Sequence, residues 1–130
     1  MAADDAGAED VRTGQDYAGL DAEVDALYAE YAIASEVRDG ADFAGAYTLD
    51  MRGCGSACQF VTLIRLADGE ELRGVTASEG MDWREDSRLV IANPPVDLMH
   101  YGETQLPDYL RPKCFVLTAE ESFEQVDCGF

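Results

Sequence analysis

The sequence predicts a single α+β domain, in which an N-terminal amphipathic helix packs on an antiparallel β-meander that ends in a C-terminal hairpin. Three observations predict this fold class. Apolar residues recur at helical spacing between residues 20 and 34. Beyond Phe43 the apolar period changes to two, which is the spacing of a half-buried strand. A chain of 130 residues, 47% of them hydrophobic, is large enough to bury one core.

The helix is predicted from apolar residues that share one helical face. They are Leu20, Val24, Leu27, Tyr31 and Ala34. Asp21 and Glu23 fall in its expected first turn, where carboxylates interact favourably with the helix dipole. "RDGAD" at 38–42 predicts the end of the helix, with Gly40 as the C-cap. Residues 1–17 are rich in Ala, Asp, Glu and Gly and predict a flexible acidic tail, followed by one domain over residues 18–130.

The first strands of the meander follow from their alternation. "AYTLDMR" alternates apolar and polar residues and predicts a half-buried strand. "QFVTLIRL" is apolar on both faces and predicts a central strand. Asp68-Gly69 predicts a two-residue hairpin turn into the returning strand "EELRGVT", because both central residues accept a positive φ.

The second half of the chain predicts three more strands. "SRLVIAN" reads as a buried strand that Asn93-Pro94-Pro95 ends, because two prolines remove backbone donors. Residues 96–112 are irregular, with a helical turn near residues 108–110. "CFVLT" and "FEQVDC" predict a closing hairpin with its turn at 120–122.

The charge of the chain restricts its partners. With 27 acidic and 9 basic residues the net charge is −18, and such a surface repels nucleic acid. The acid-rich composition, with Lys113 as the only lysine, is typical of a halophilic-like surface, on which salt screens self-repulsion. A decoy or inhibitor for a basic partner is the alternative. We favour the solvated surface.

The chain is predicted to be exported. It has no run approaching the roughly 18 apolar residues that a membrane helix needs, so we expect no membrane span. Met1 followed by "AADDAGAED" is typical of a start residue before a mature export product. We therefore expect a periplasmic or secreted monomer whose signal peptide has been removed.

The four cysteines predict two disulfides. An even cysteine count in an exported chain favours bridges, although four cysteines allow three pairings. Cys114 and Cys128 are expected opposite each other in the last hairpin, close enough for a bond. Cys54 and Cys58, in "GCGSACQF", then close a five-residue ring, in which flanking glycines permit the tight backbone. This pairing is preferred over the crossed ones.

Three reactive alternatives to the Cys54–Cys58 staple are weaker. A redox pair has C-x-x-C spacing at a helix start, one residue shorter than here. A metal site needs further ligands, and His100 is the only histidine, so we expect no metal and no cofactor. A thiol enzyme would use Cys58 or Cys54 with His100, and it remains the alternative function. The clustered carboxylates lack the spacing of a calcium loop and do not discriminate between functions.

Several of these residues resemble a family of small exported bacterial proteins to which no activity is assigned. The family pattern reads roughly N-F-A-G-H-Y, then W-G-C-G-x-x-C-Q, then D-S-R-L. The matching positions here are Phe43, Gly45, Tyr47, Gly53, Cys54, Gly55, Cys58, Gln59, Asp86, Ser87, Arg88 and Leu89. This chain has Ala46 where the family has histidine and Arg52 where it has tryptophan. The resemblance implies export and a disulfide loop, and the missing histidine weakens an enzymatic interpretation.

The leading functional hypothesis is a non-catalytic binding or inhibitor-like module for an unknown protein or small ligand. The candidate binding loop consists of Gly53, Gly55, Ser56, Ala57 and Gln59. Arg88 is expected to pair with Asp86, Glu85 or the sheet edge, or alternatively to contact an anionic ligand. Trp83 is expected to cover the sheet partly, or alternatively to anchor a partner. A purely structural surface domain is the third possibility.

Overall fold

The structure, a computed structural model, describes residues 14–56, 58–94 and 111–129. They form one helix, α1 (Gly14–Glu30), and seven strands. The strands are β1 (Tyr47–Gly55), β2 (Cys58–Arg65), β3 (Glu71–Ala77), β4 (Met81–Trp83), β5 (Leu89–Ala92), β6 (Lys113–Leu117) and β7 (Phe123–Val126).

The strands form two antiparallel sheets. One has three strands in the order β1-β2-β3, and the other has four in the order β4-β5-β6-β7. Apolar side chains from both sheets meet in one buried cluster. Its members are Phe43, Leu49, Val61, Leu63, Val75, Val90 and Leu117. The main core therefore lies between two sheets.

The prediction of an α+β fold with a helix packed on a single meander is wrong. The regular structure is mostly strand, and it divides into two sheets whose facing surfaces supply the core. Periodicity identified individual strands, but it carries no information about which sheet each strand joins. The helix contributes a smaller second cluster, in which Tyr28 lies with Leu89, Ile91 and Cys114 on the outer face of the four-stranded sheet.

The predicted helix boundaries are also wrong. The helix begins at Gly14, within the segment assigned to the tail, and ends at Glu30, well before Gly40. Its last carbonyl groups are satisfied from a distant segment: the Ser87 hydroxyl donates to the carbonyl oxygen of Tyr28 at 2.9 Å. No local signal marks such an end, because the capping donor comes from elsewhere in the chain.

The strands β5 and β6 agree well with the sequence prediction. All four residues of β5 are buried, as expected for "SRLVIAN", because both faces of the four-stranded sheet are covered. Strand β4 was not predicted. "MDW" is too short and too polar to alternate, and it pairs with β5 at the edge of the sheet.

The turn between β2 and β3 is longer than predicted. The N–H of Arg65 donates to the carbonyl oxygen of Glu70, and the N–H of Gly69 donates to that of Arg65. The connection is thus the loop 66–69 and not a two-residue turn at Asp68-Gly69. Gly69 does adopt the predicted positive φ, of 73°.

A bulge in β3 requires glycine at position 74. The register between β2 and β3 shifts between Phe60 and Thr62. A Cβ atom on Gly74 would lie 2.0 Å from the carbonyl oxygen of Val61, so any side chain would displace the neighbouring strand.

The last hairpin differs from its predicted register by two residues. Cys114 pairs with Val126, and Cys128 lies just beyond β7. The two cysteines are nevertheless bonded, with 5.4 Å between their Cα atoms. The predicted helical turn at 108–110 and residues 1–13 of the predicted tail lie outside the described residues. In the part of the chain that is described, no helix combines the length and apolarity needed to cross a membrane.

Candidate functional site

The candidate site is the end of the β1–β2 hairpin, which extends past the core. We call residues 51–56 the hairpin tip. All six are exposed, whereas Leu49, earlier in the same strand, is buried. The strands remain paired farther than predicted, through Gly53 with Gln59 and Gly55 with Cys58. The tip is therefore an ordered end of a sheet and not a long loop.

A disulfide closes the tip. Cys54 and Cys58 are bonded, with 5.1 Å between their Cα atoms, as the sequence predicts. The register is irregular between Gly53 and Gly55, and Gly55 has a φ of 129°, which a residue with a side chain rarely adopts. The predicted loop residue Ala57 lies outside the described residues.

This bond bears on the alternative of a thiol enzyme. A thiolate is the nucleophilic form of cysteine, and neither Cys54 nor Cys58 can supply one while the bond is intact. His100, the proposed base, lies outside the described residues. Within those residues, no group of three or more His, Cys, Asp or Glu side chains could hold a metal ion.

The surface of the tip combines one apolar and one charged side chain. Met51 is 45% exposed, and among the side chains described in residues 21–56, 58–94 and 111–129 it is the one large apolar side chain that is exposed. Arg52 forms an ion pair with Asp50 at 3.0 Å, and both side chains remain accessible to solvent. The remaining tip residues are small, so backbone groups are accessible between Gly53 and Ser56.

Gln59 does not belong to the free surface of the tip. Its side-chain oxygen accepts a hydrogen bond of 2.6 Å from the N–H of Gly80. The same connection is held by Asn93, whose buried side-chain oxygen accepts from the N–H groups of Ser78 and Glu79. Gln59 therefore fixes the base of the hairpin to the link between β3 and β4.

Arg88 lies away from the tip and forms structural contacts. Its guanidinium donates to the carbonyl oxygen of Leu117 at 3.0 Å and lies 5.9 Å from the centre of the Tyr31 ring. In the described part of the chain it forms no ion pair with Asp86 or Glu85, and the Leu117 that it contacts belongs to β6, an inner strand of the four-stranded sheet. Trp83 is half-buried in β4 and packs against the main core.

Sequence reasoning missed a charged cluster at the end of β1 and β2 that lies opposite the hairpin tip. Both oxygens of the Glu121 carboxylate accept from the Arg65 guanidinium, and Tyr47 donates to the same carboxylate at 2.7 Å. Arg65 also contacts Asp68 and Glu70 in the β2–β3 loop. The cluster ties the three-stranded sheet to the β6–β7 turn. No local motif could reveal it, because its members are far apart in the sequence.

The electrostatics of this cluster follow from its contacts. The Arg65 guanidinium, together with the Tyr47 hydroxyl, lowers the pKa of Glu121 to about 2. Partial burial and the hydrogen bond to Glu121 raise the pKa of Tyr47 to about 12. At neutral pH the cluster therefore consists of an ionised carboxylate, a charged arginine and a neutral phenol.

A second missed cluster joins the helix to β4. Tyr28 is buried and donates to the Asp82 carboxylate at 2.9 Å, while Arg84 lies over its ring and pairs with Asp25. Burial, reinforced by the nearby Asp82, raises the pKa of the Tyr28 hydroxyl well above its usual range. This cluster holds α1 to β4 and has a structural role, because each of its polar groups already has a partner in the protein.

Two of the segments that carry the family resemblance meet in the structure. The N–H of Ala44 donates to the carbonyl oxygen of Ser87, and the N–H of Gly45 donates to that of Glu85 at 2.7 Å. A Cβ atom on Gly45 would lie 2.3 Å from the side chain of Ile33, so this close approach requires glycine. The segments 43–47 and 85–89 therefore brace each other near the end of the helix.

Comparison with known proteins gives no further assignment. No family model matches the sequence, no curated protein is significantly similar to it, and no solved structure matches the fold.

Proposed function

We propose that the protein is an exported, non-catalytic binding module that presents the hairpin tip to a partner protein. The observation that carries the proposal is the Cys54–Cys58 disulfide across an exposed hairpin end. A bond at this place closes a ring of only five residues, so it restricts the unfolded chain less than the 15-residue ring of Cys114–Cys128 does, and it also fixes the shape of the tip.

A rigid tip favours binding for an energetic reason. An interface loop that is flexible must lose conformational freedom when it binds, and a loop that is already ordered avoids much of that cost. The paired strands, the disulfide and the hydrogen bond from Gly80 to Gln59 all restrain the tip before any partner arrives.

The composition of the tip is consistent with such a contact. Methionine and arginine are both enriched in protein interfaces, and the tip offers Met51 on one face of β1 and Arg52 on the other. The small residues that follow would let the tip enter a narrow cleft. The exposed methionine has no role in the core, since the core-facing part of β1 ends at Leu49.

The wider properties of the chain support export and suggest the chemistry of the partner. Disulfides persist in oxidising compartments, so the two bonds support a periplasmic or secreted location. A net charge of −18 favours a basic partner through electrostatic complementarity. The same charge also suits a protein that works in salt, and the affinity at different ionic strengths separates these two roles.

The test compares tip variants with a matched change elsewhere. Protein purified without reductant is used to capture binding proteins from the exported fraction of the producing organism. The captured protein is then purified, and its affinity for the parent protein is measured by titration. Ser56→Trp and Met51→Asp should weaken its affinity at least tenfold, which corresponds to about 1.4 kcal/mol. Ala67→Trp, in the exposed loop at the other end of the same sheet, should leave the affinity unchanged.

The melting temperature controls for folding. All three variants change exposed side chains and should melt close to the parent protein. A captured protein that binds the parent and all variants equally would place the contact elsewhere and contradict the role of the tip.

A further inference from the structure

A second surface of the molecule is open, and none of the residues that line it belongs to the hairpin tip, although Phe60 and Val61 pair with Arg52 and Met51. A groove of about 760 Å³ runs between the two sheets along β3. One wall is formed by β2 and β3, and the other by Phe115, Phe123 and the β6–β7 turn. No feature of the sequence indicated it, since its two walls come from distant parts of the chain.

The residues that line the groove define its shape. Five consecutive residues of β3, 72–76, border it. Successive side chains of a strand point to opposite faces, so a groove that lies on one face would contact every second residue. Contact with all five, and with residues 60–62 of the neighbouring β2, means that the groove includes strand backbone and not only the side chains of one face.

β3 is an edge strand among the described residues. It pairs with β2 on one side, and no described strand pairs with the other side. An edge strand presents unpaired backbone N–H and C=O groups, which can hydrogen-bond to an added extended chain. The groove thus offers a ladder of backbone groups and not only an apolar surface.

The floor beside this edge is apolar. Phe115, Phe123 and Leu72 are half-buried at the margin of the main core, next to the buried Val75. Alternate side chains of a strand added to β3 would point toward this floor. The side chains on the other face of the added strand would remain in solvent. Arg73 lies on that side of β3, since it is exposed and pairs with Thr62 in the register.

The charge beside the groove indicates which kind of molecule would bind in it. At the start of β3, Asp68, Glu70 and Glu71 are all exposed. Arg65 pairs with Asp68 and Glu70, so the local excess of negative charge is carried by Glu71, and the chain as a whole carries −18. A second copy of the chain would bring two such charges together, which opposes self-association. A basic segment gains from the same field.

We propose that the groove along β3 binds an extended, apolar segment of a basic partner protein as an added β-strand. Alternate apolar side chains of the segment enter between the sheets, and a flanking Lys or Arg lies beside Glu71. The lining of the groove contains no residue of the hairpin tip, and the proposal does not depend on the function proposed for the tip.

The proposal is tested with synthetic peptides whose ends are blocked. The probe is Lys-Val-Thr-Phe-Thr-Val-Lys, which alternates apolar residues and carries a lysine at each end. One control peptide carries glutamate in place of both lysines, and another is N-methylated at alternate backbone amides, which removes the donors of one edge. Binding is followed by NMR from the amide shifts of residues 72–76 and by titration.

Two tryptophan variants separate the groove from the tip. Ser122 is exposed and borders the groove, so Ser122→Trp should obstruct it and weaken peptide binding at least tenfold. Ser56→Trp, the same change at the hairpin tip, should leave peptide binding within twofold of the parent. Glu71→Lys should weaken binding of the lysine-ended peptide, whereas Glu36→Lys, at an exposed site outside the groove, should not.

The expected result is that the lysine-ended peptide shifts the β3 amides and that both control peptides bind at least tenfold more weakly. Equal binding of the N-methylated peptide would overturn the added strand. Shifts confined to residues outside the groove, or no binding by folded protein at millimolar peptide, would overturn the site itself. Because Ser56→Trp tests the tip alone, failure here leaves the proposal for the tip standing, and the reverse also holds.

Discussion

The two disulfides should differ sharply in what they contribute to stability. Two double variants are compared. One combines Cys114→Ser and Cys128→Ser and opens the terminal hairpin, and the other combines Cys54→Ser and Cys58→Ser and opens the tip. Each pair replaces a bonded sulfur with a hydroxyl of similar size. The comparison therefore isolates the length of the ring and the burial of the site.

The magnitudes follow from the structure. The Cys114–Cys128 bond closes a ring of 15 residues, worth about 3 kcal/mol in the chain-entropy treatment, whereas the five-residue ring of the tip is worth about 2 kcal/mol. Cys114 is fully buried in the cluster beneath the helix, so serine there also leaves a hydroxyl in apolar surroundings, at a further cost of about 1–3 kcal/mol. Cys54 is exposed and adds no such cost.

Thermal melts monitored by circular dichroism measure the difference. For a domain of this size each kcal/mol corresponds to roughly 4 °C, so the terminal pair should lower the melting temperature by at least about 8 °C more than the tip pair. The companion pair Cys114→Ala with Cys128→Ala should recover part of this loss, because it removes the buried hydroxyl. Equal losses, or a larger loss for the tip pair, would refute the reasoning.

The remaining predictions concern charge, backbone and pH. The melting temperature should rise from dilute buffer to about 1.5 M salt, because screening reduces the repulsion of a chain with net charge −18; a flat trend would mean that local ion pairs already balance the surface. Gly74→Ala should cost about 2 kcal/mol or more in chemical denaturation because its Cβ would collide with Val61, while Gly53→Ala, where a Cβ meets nothing within 4 Å, should be nearly neutral. Arg65 holds the pKa of Glu121 at about 2, below the usual 4.5, so its stabilising contribution is full above pH 4.5 and is lost as the pH falls through about 2. The stability difference between the parent and Glu121→Gln should close over that interval in acid, and a difference that widens there would contradict the sign.

The sequence predicted those strands whose pattern is local. β2 and β5 appear as apolar runs because both of their faces are at least half-buried, and β1 alternates because one face borders the core. The disulfide of the tip was predictable for the same reason, since the glycines and cysteines that form it lie within a few residues of one another. Such features depend on chain geometry over short distances.

The features that were missed depend on distant partners. The helix ends where Ser87 and Arg88 donate hydrogen bonds to the carbonyl oxygens of Tyr28 and Tyr31. The residues near Glu30 carry no local signal for the end of the helix. Division into two sheets likewise depends on which faces meet in the core. A helix followed by a set of strands can form either a single meander or two packed sheets. The periodicity of each element is the same in both folds, so periodicity cannot distinguish them.

The candidate site was predicted in part for the same physical reason. The tip and its bond could be inferred, but the role of Gln59 could not, because its partner Gly80 belongs to another connection. Arg65 and Glu121 are 56 residues apart, and charged residues are so common in this chain that neither stands out. Arg88 was noticed because cations are scarce, yet its contacts are with a carbonyl group and an aromatic ring.

The contrast between these segments supports the choice of the tip as the functional surface. Around Gly45 and Ser87, backbone groups and buried side chains hold the end of the helix to the start of β1, so a change there would act through folding. In the tip, a Cβ atom added to Gly53 or Gly55 would meet no other atom, and the disulfide lies outside both core clusters. A segment that is rigid, exposed and of little consequence for the core is suited to contact with another molecule. The ring sizes imply that the tip pair of cysteines contributes about 1 kcal/mol less stability than the terminal pair, and under the proposed function its further effect is to fix the shape of the surface that contacts a partner.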